Sequence, residues 1–202
     1  PTPDFSFNLR PVEIVTAGAA GAFAGAMPGS HEIHVLYGGA PTNATAIRAD
    51  KVPFILSNST SKKVDPKIAS INGLRNGEII ITYGQDGGGN VLECTLQEIT
   101  RDDDVSRLTL YHFAENYTNY LGQNVTARFN GIAPPAYLIG MIDNLGIAPH
   151  RNIWQVSDTG KLRWQNDLLY TNGAWIEVAE GIVDMKAQYG IDGGDGSVRQ
   201  GT

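Results

Sequence analysis

The sequence predicts a mainly antiparallel β fold with long loops and few short helices. Three observations carry this. Short apolar or alternating runs recur between turn signals along the chain. The 202 residues include 24 glycines and 10 prolines, so turns are frequent. Convincing helical stretches are scarce.

Residues 17–26 are rich in alanine, but Gly18, Gly21 and Gly25 interrupt them. Each glycine costs about 1 kcal/mol against alanine in a helix, so the stretch reads as a loop. Residues 33–37 read as a strand, and residues 65–71 as a helical turn or two after a proline start. Residues 78–83 and 91–99 flank a glycine-rich segment, 84–90, and together read as a hairpin with a long loop. Strand-like runs follow at 108–113 and 125–129, and residues 137–142, nearly all apolar, read as a central strand. Further runs lie at 153–156, 162–164 and 175–178. In the last run, Val183, Met185, Ala187 and Tyr189 alternate with Asp184, Lys186 and Gln188. Ile182, Met185 and Tyr189 would also share a helix face, but the short length and bounding glycines favour a half-buried strand. No linker or internal repeat is visible, so one globular domain over residues 1–202 is expected.

Composition removes several classes. The formal net charge is −6 with only 18% charged residues, and the sole small basic cluster is Lys62, Lys63 and Lys67. Nucleic acid is therefore not an expected partner. No apolar run approaches the ~18–20 residues of a membrane helix, and no signal peptide is visible. The chain begins at Pro1 without a methionine, and we expect a segment trimmed from upstream of it.

Little chemistry is visible. His31 and His34 are three apart, where the zinc-protease motif needs four on a helix; on a strand they face opposite ways. His112 follows Leu108 and Leu110 on one strand face and reads as a half-buried imidazole, whereas His150 reads as a loop residue. No Gly-x-Ser-x-Gly elbow occurs, and Asp102, Asp103 and Asp104 read as a solvated turn. Cys94, beside Leu92 and Leu96 on one face, reads as a buried thiol, or as half of a disulfide with a partner upstream. Asn-x-Ser/Thr triplets start at Asn43, Asn58, Asn116 and Asn124. Trp154, Trp164 and Trp175 are candidates for a glycan or peptide groove, although Trp154 alternates with Val156 as a core residue does. The candidate ion site is Asp192 and Asp195, with carbonyls and Ser197 in a glycine-rich turn suited to calcium. The same residues also suit a simple turn. No other cofactor is indicated.

Three blocks resemble the PilW-type minor pilins of bacterial type IV pilus systems. One runs from Arg10-Pro11-Val12-Glu13-Ile14 through the glycine-rich loop to Glu32-Ile33-His34-Val35-Leu36-Tyr37-Gly38. A second is Leu74-Arg75-Asn76-Gly77-Glu78-Ile79-Ile80-Ile81. The third and most specific is Val178-Ala179-Glu180-Gly181-Ile182-Val183-Asp184, continuing to Gln188-Tyr189-Gly190-Ile191-Asp192 and the Gly-Asp-Gly beyond. Gly194 stands where the family often has an aspartate, and Val198, Arg199 and Gln200 stand where another acid is expected.

The resemblance implies an α+β pilin-like fold, mainly antiparallel β here, with an apolar N-terminal helix upstream as the only membrane element. It implies a non-enzymatic subunit that primes or decorates pilus assembly through contacts with minor and major pilins and the assembly machinery. A role in adhesion, with an adhesin or host surface as partner, goes with it. The implied location is the inner membrane and periplasm before assembly, then the pilus at the cell surface. An exposed apolar patch is the expected mark of such a subunit. The alternatives are a type II secretion pseudopilin and a secreted adhesive β-domain binding glycan or host protein. A hydrolase would need clustered acids or histidines.

Overall fold

Alternating apolar and polar residues, rich in Ile, Val, Thr and Tyr and punctuated by glycine turns, fold as strands throughout the chain. In the structure, a computed structural model, the described residues are 10–39, 47–48, 61–63, 74–101, 109–130, 137, 139–168, 174–192 and 198–200. The strands are β1 (Val12–Thr16), β2 (His31–Tyr37), β3 (Ile47–Arg48), β4 (Ser61–Lys63), β5 (Ile79–Gln85), β6 (Val91–Glu98), β7 (Thr109–Tyr111) and β8 (Asn116–Thr118). They continue as β9 (Asn124–Thr126), β10 (Ile139–Gly146), β11 (His150–Val156), β12 (Lys161–Asn166), β13 (Ile176–Glu180), β14 (Gly190–Asp192) and β15 (Val198–Gln200).

The fold is all-β among the described residues, which corrects the α+β pilin-like expectation. The helical part of that expectation came from the resemblance and from the turn or two read at residues 65–71. The alanine-rich stretch is a string of turns: Gly18, Gly21 and Gly25 hold φ of +83°, +86° and +75°, a left-handed backbone that no right-handed helix accommodates. The helical turn expected at residues 65–71 lies outside the described residues.

Contacts gather the strands into two compact units. Among the described residues, one lies within 38–149, and the other joins 10–37 with 150–200. No change of composition marks either crossing, which is why the sequence suggested one domain.

In the first unit the sheet order is β3-β10-β5-β6, all antiparallel, so β10 is central, as its apolar run suggested. The hairpin of β5 and β6 closes on Asp86, whose Oδ1 accepts from the backbone of Gly88 and Asn90 at 2.8 and 2.9 Å. Leu74, Ile80, Ile99, Leu110, Tyr137 and Ile142 form the buried cluster. Buried Glu98 receives the hydroxyl of Tyr117 at 2.6 Å and Arg128 at 2.8 Å, tying in the β8–β9 ribbon. Burial, and then Glu98 itself, push the Tyr117 hydroxyl above its ordinary range.

In the second unit the order is β1-β2-β11-β12-β13, again antiparallel, with β14–β15 as a separate ribbon. The strand expected at 183–189 is a second correction, because this segment forms no ladder. Side chains and one main-chain bond hold it instead. Ser30 Oγ accepts from Met185 N at 2.9 Å, and His31 N donates to Met185 O at 2.8 Å. Ala187 N donates to His31 Nδ1 at 3.0 Å, and Ile14 N donates to Tyr189 Oη at 2.8 Å. Met185 and Ala187 are half-buried while Asp184, Lys186 and Gln188 are exposed, so the alternation is real without a ladder. Val183 and Tyr189 break it, at 85% and 47% exposure. Tyr189→Phe should cost about 0.5–1.5 kcal/mol, since the Ile14 amide of edge strand β1 loses its acceptor. Faster hydrogen exchange at Ile14, with β11 and β12 unaffected, is the reading that checks it.

Candidate functional site

The two faces of the five-stranded sheet divide the labour. Cross-strand partners share a face, so the register assigns each side chain. Ile14 lies opposite Ile33, Ile33 opposite Trp154, Trp154 opposite Trp164, and Trp164 opposite Ile176. These five make an unbroken apolar row across all five strands. The Trp154 and Trp164 rings stack with centroids 6.0 Å apart. On the same face, one row over, Val12 pairs with Val35. Tyr37 stacks on His150 at 5.1 Å, and its hydroxyl accepts from Asn152 Nδ2 at 3.1 Å. Ile14, Ile33, Val35, Trp154 and Trp164 are only half-buried, while Val12, Tyr37 and Ile176 are 42, 44 and 50% exposed.

The opposite face is polar and buried. Glu13 lies opposite His34, and His34 opposite Ile153. Glu32, His34, Arg151, Gln155 and Gln165 are all buried here. The Arg151 guanidinium is the hub. Its Nη1 donates to Asp167 Oδ2 and its Nη2 to His34 Nδ1 at 2.9 Å, with Glu13 Oε2 at 3.8 Å. An arginine has no lone pair to offer, so His34 Nδ1 must be the acceptor. The proton of a neutral imidazole then sits on Nε2, which donates to Glu32 Oε2 at 2.9 Å. Glu32 also receives the backbone N–H of Phe23, at 3.0 and 3.1 Å to its two oxygens. That bond draws the glycine-rich loop down so that Phe23 meets the His34 ring edge-on at 5.8 Å. Phe23 in turn meets Trp175 at 6.1 Å, over which Arg163 lies at 4.4 Å. Burial pushes the Asp167 carboxyl above its ordinary range, against the pull of Arg151.

The residues singled out in the sequence scatter. His31 and His34 take opposite faces of β2, as their spacing requires. His112 is fully buried, more than expected, with Nδ1 at 3.3 Å from Gln97 Nε2. His150 begins β11 rather than lying in a loop. Cys94, expected in the core, is a free and exposed thiol. It lies on edge strand β6 at a register shift, where Glu93 and Cys94 stand against the single residue between Thr82 and Gly84, so the period-two alternation breaks and Leu92 meets the core while Cys94 does not. Partial burial, then the Asp143 carboxylate, push this thiol up, away from a reactive thiolate. Of the tryptophans, Trp154 and Trp164 come together, and Trp175 does not join them. Asn116 and Asn124 are exposed on β8 and β9, while Asn43 and Asn58 lie outside the described residues. So do Asp102, Asp103, Asp104 and the calcium candidate Asp195; Asp192 ends β14, and its side chain is likewise not described. Among the described residues, no three His, Cys, Asp or Glu groups converge as a metal site.

The charged cluster escaped the sequence reading. Its one signal is that Glu13, Glu32 and His34 alternate with Val12, Ile14, Ile33 and Val35, a pattern that normally marks a solvated face. Comparison with protein-family models, curated proteins and solved structures returns no match to this chain. Function is therefore argued from the site itself and from the sequence resemblance.

Proposed function

We propose that this chain is a docking subunit that presents the Ile14–Ile33–Trp154–Trp164–Ile176 face to a partner protein. The form we favour is a minor pilin-like subunit of a type IV pilus, acting before assembly in the periplasm and then in the filament with other pilins. The single observation behind docking is that unbroken apolar row, crossing a whole sheet with exposed Ile176 at one margin. An apolar surface of this extent loses free energy to water and gains it against a matching surface. The all-β fold lends the pilus reading no support, so that part rests on the three sequence blocks. Ile176→Asp, at a half-exposed position, should leave the melting temperature unchanged. It should weaken binding to neighbouring pilin subunits about 10- to 100-fold, as loss of an apolar anchor does. Titration calorimetry with the purified minor and major pilins checks this, and undiminished binding would sink the docking face.

The stacked pairs Tyr37–His150 and Trp154–Trp164 favour a second reading on the same face: an adhesive domain that stacks sugar rings. Saturation-transfer NMR with oligosaccharides separates the two, since a glycan ligand would transfer magnetisation from these rings.

A further inference from the structure

We infer that His34, Arg151, Glu13 and Asp167 form a buried two-state proton switch in which protonation of His34 hands Arg151 from the imidazole to Asp167. The switch does not depend on what docks against the sheet. In the arrangement seen, His34 Nδ1 accepts from Arg151 Nη2 and so carries no proton. A proton added there would set two donors, both charged, 2.9 Å apart. That contact has to break.

Each displaced group has a destination. Glu13 Oε2 lies 3.7 Å from Nδ1, so a modest shift makes it the acceptor of the new N–H. Glu13 and His34 are cross-strand partners, and the new bond would staple β1 to β2. Asp167 already holds Arg151 through Oδ2, while its Oδ1 is buried and has no hydrogen-bond partner. The released Nη2 can turn onto that oxygen and complete a fork-to-fork pair. The protonated arrangement thus satisfies an acceptor that the neutral one leaves empty. His34 Nε2 donates to Glu32 in both states.

Every described element packed on His34 has a part. β1 brings Glu13, β2 brings Glu32, β11 brings Arg151 and the residue after β12 brings Asp167, while the loop before β2 brings only the Phe23 ring. Among the described residues, three carboxylates against one guanidinium give the added proton a negative surrounding.

The test is a pH titration of the full chain, from about pH 8 to about pH 5, followed by imidazole and guanidinium 15N shifts. We expect the Nε2–H tautomer at high pH and Arg151 shifts that move with the His34 midpoint. Glu13→Gln, which removes the charge that receives the new N–H, should lower that midpoint by about one pH unit, a tenfold weaker proton affinity. Asp167→Asn should act in the same direction and serves if Glu13→Gln does not fold. A Nδ1–H tautomer at high pH, an Arg151 signal indifferent to the His34 titration, or a midpoint unmoved in the folded variant overturns the switch.

Discussion

Replacing Arg151 with methionine should cost the second unit about 3–5 kcal/mol of unfolding free energy. The guanidinium is buried, and three partners lean on it: Asp167, His34 and, at longer range, Glu13. Methionine fills much of the volume, so loss of packing is the smaller term. The larger one is electrostatic, because Asp167 and Glu13, both partly buried, would lose the cation that offsets them. The exposed Lys161–Glu177 pair shows the contrast: water screens it, and breaking it should matter little. The sign of the pH effect follows from Asp167. Its carboxyl is already raised in the folded state by burial, and removing Arg151 takes away the largest cause that lowers it. A carboxyl raised on folding binds its proton more readily when folded, so stability rises as pH falls through the folded value. The variant should therefore recover part of its loss in acid. Urea unfolding followed by tryptophan fluorescence reads this unit, which holds Trp154, Trp164 and Trp175. A loss below about 1 kcal/mol at neutral pH would mean that the cluster is solvated after all.

The second large effect is in the other unit. Tyr137→Ala should destabilise it by about 3–5 kcal/mol, the cost of emptying a fully buried aromatic site. The ring is part of the cluster with Leu74, Ile80, Ile99, Leu110 and Ile142. Its hydroxyl adds a polar clasp within the β5–β6 hairpin, with Thr82 O at 3.1 Å, Thr95 Oγ1 at 3.1 Å and Glu93 O closer still. A phenol has one proton to give, and the close Glu93 carbonyl is its best receiver. Tyr137→Phe keeps the volume and leaves those partners short, so it should cost less, about 1–3 kcal/mol. Calorimetry is the right measurement, since this unit contains no tryptophan. Equal losses for the two variants would show that the hydroxyl, and not the ring, holds this core.

Local features were legible before the structure. The β5–β6 hairpin was readable because a glycine-rich turn and two flanking runs are adjacent in sequence. β10 was readable as central because its run is apolar on both faces. The glycine-interrupted loop before β2 was readable from backbone entropy alone. The failures share one cause. Residues 183–189 show the right alternation, yet Ser30, His31 and Tyr189 side chains occupy the places of ladder partners. Cys94 has apolar neighbours, yet a register shift in the β5–β6 pairing takes it off the face that Leu92 presents to the core. The helical share of the expected fold came from a resemblance and from residues 65–71, which lie outside the described residues.

The charged cluster is the clearest case. Period-two alternation specifies that Glu32 and His34 share one side of β2 while Ile33 and Val35 share the other. That much is a property of the amino-acid order, because a strand turns each side chain half a revolution from the last. The pattern is unchanged if the two sides are exchanged, so it carries no information about which one meets water. Long-range pairing of β2 with β11 and the descent of Phe23 onto Glu32 settled that question. They buried Glu32, His34 and Arg151, and left the tryptophan row half in solvent. A buried charge survives there only because its partners arrive from separate segments, and only the folded chain brings those segments together.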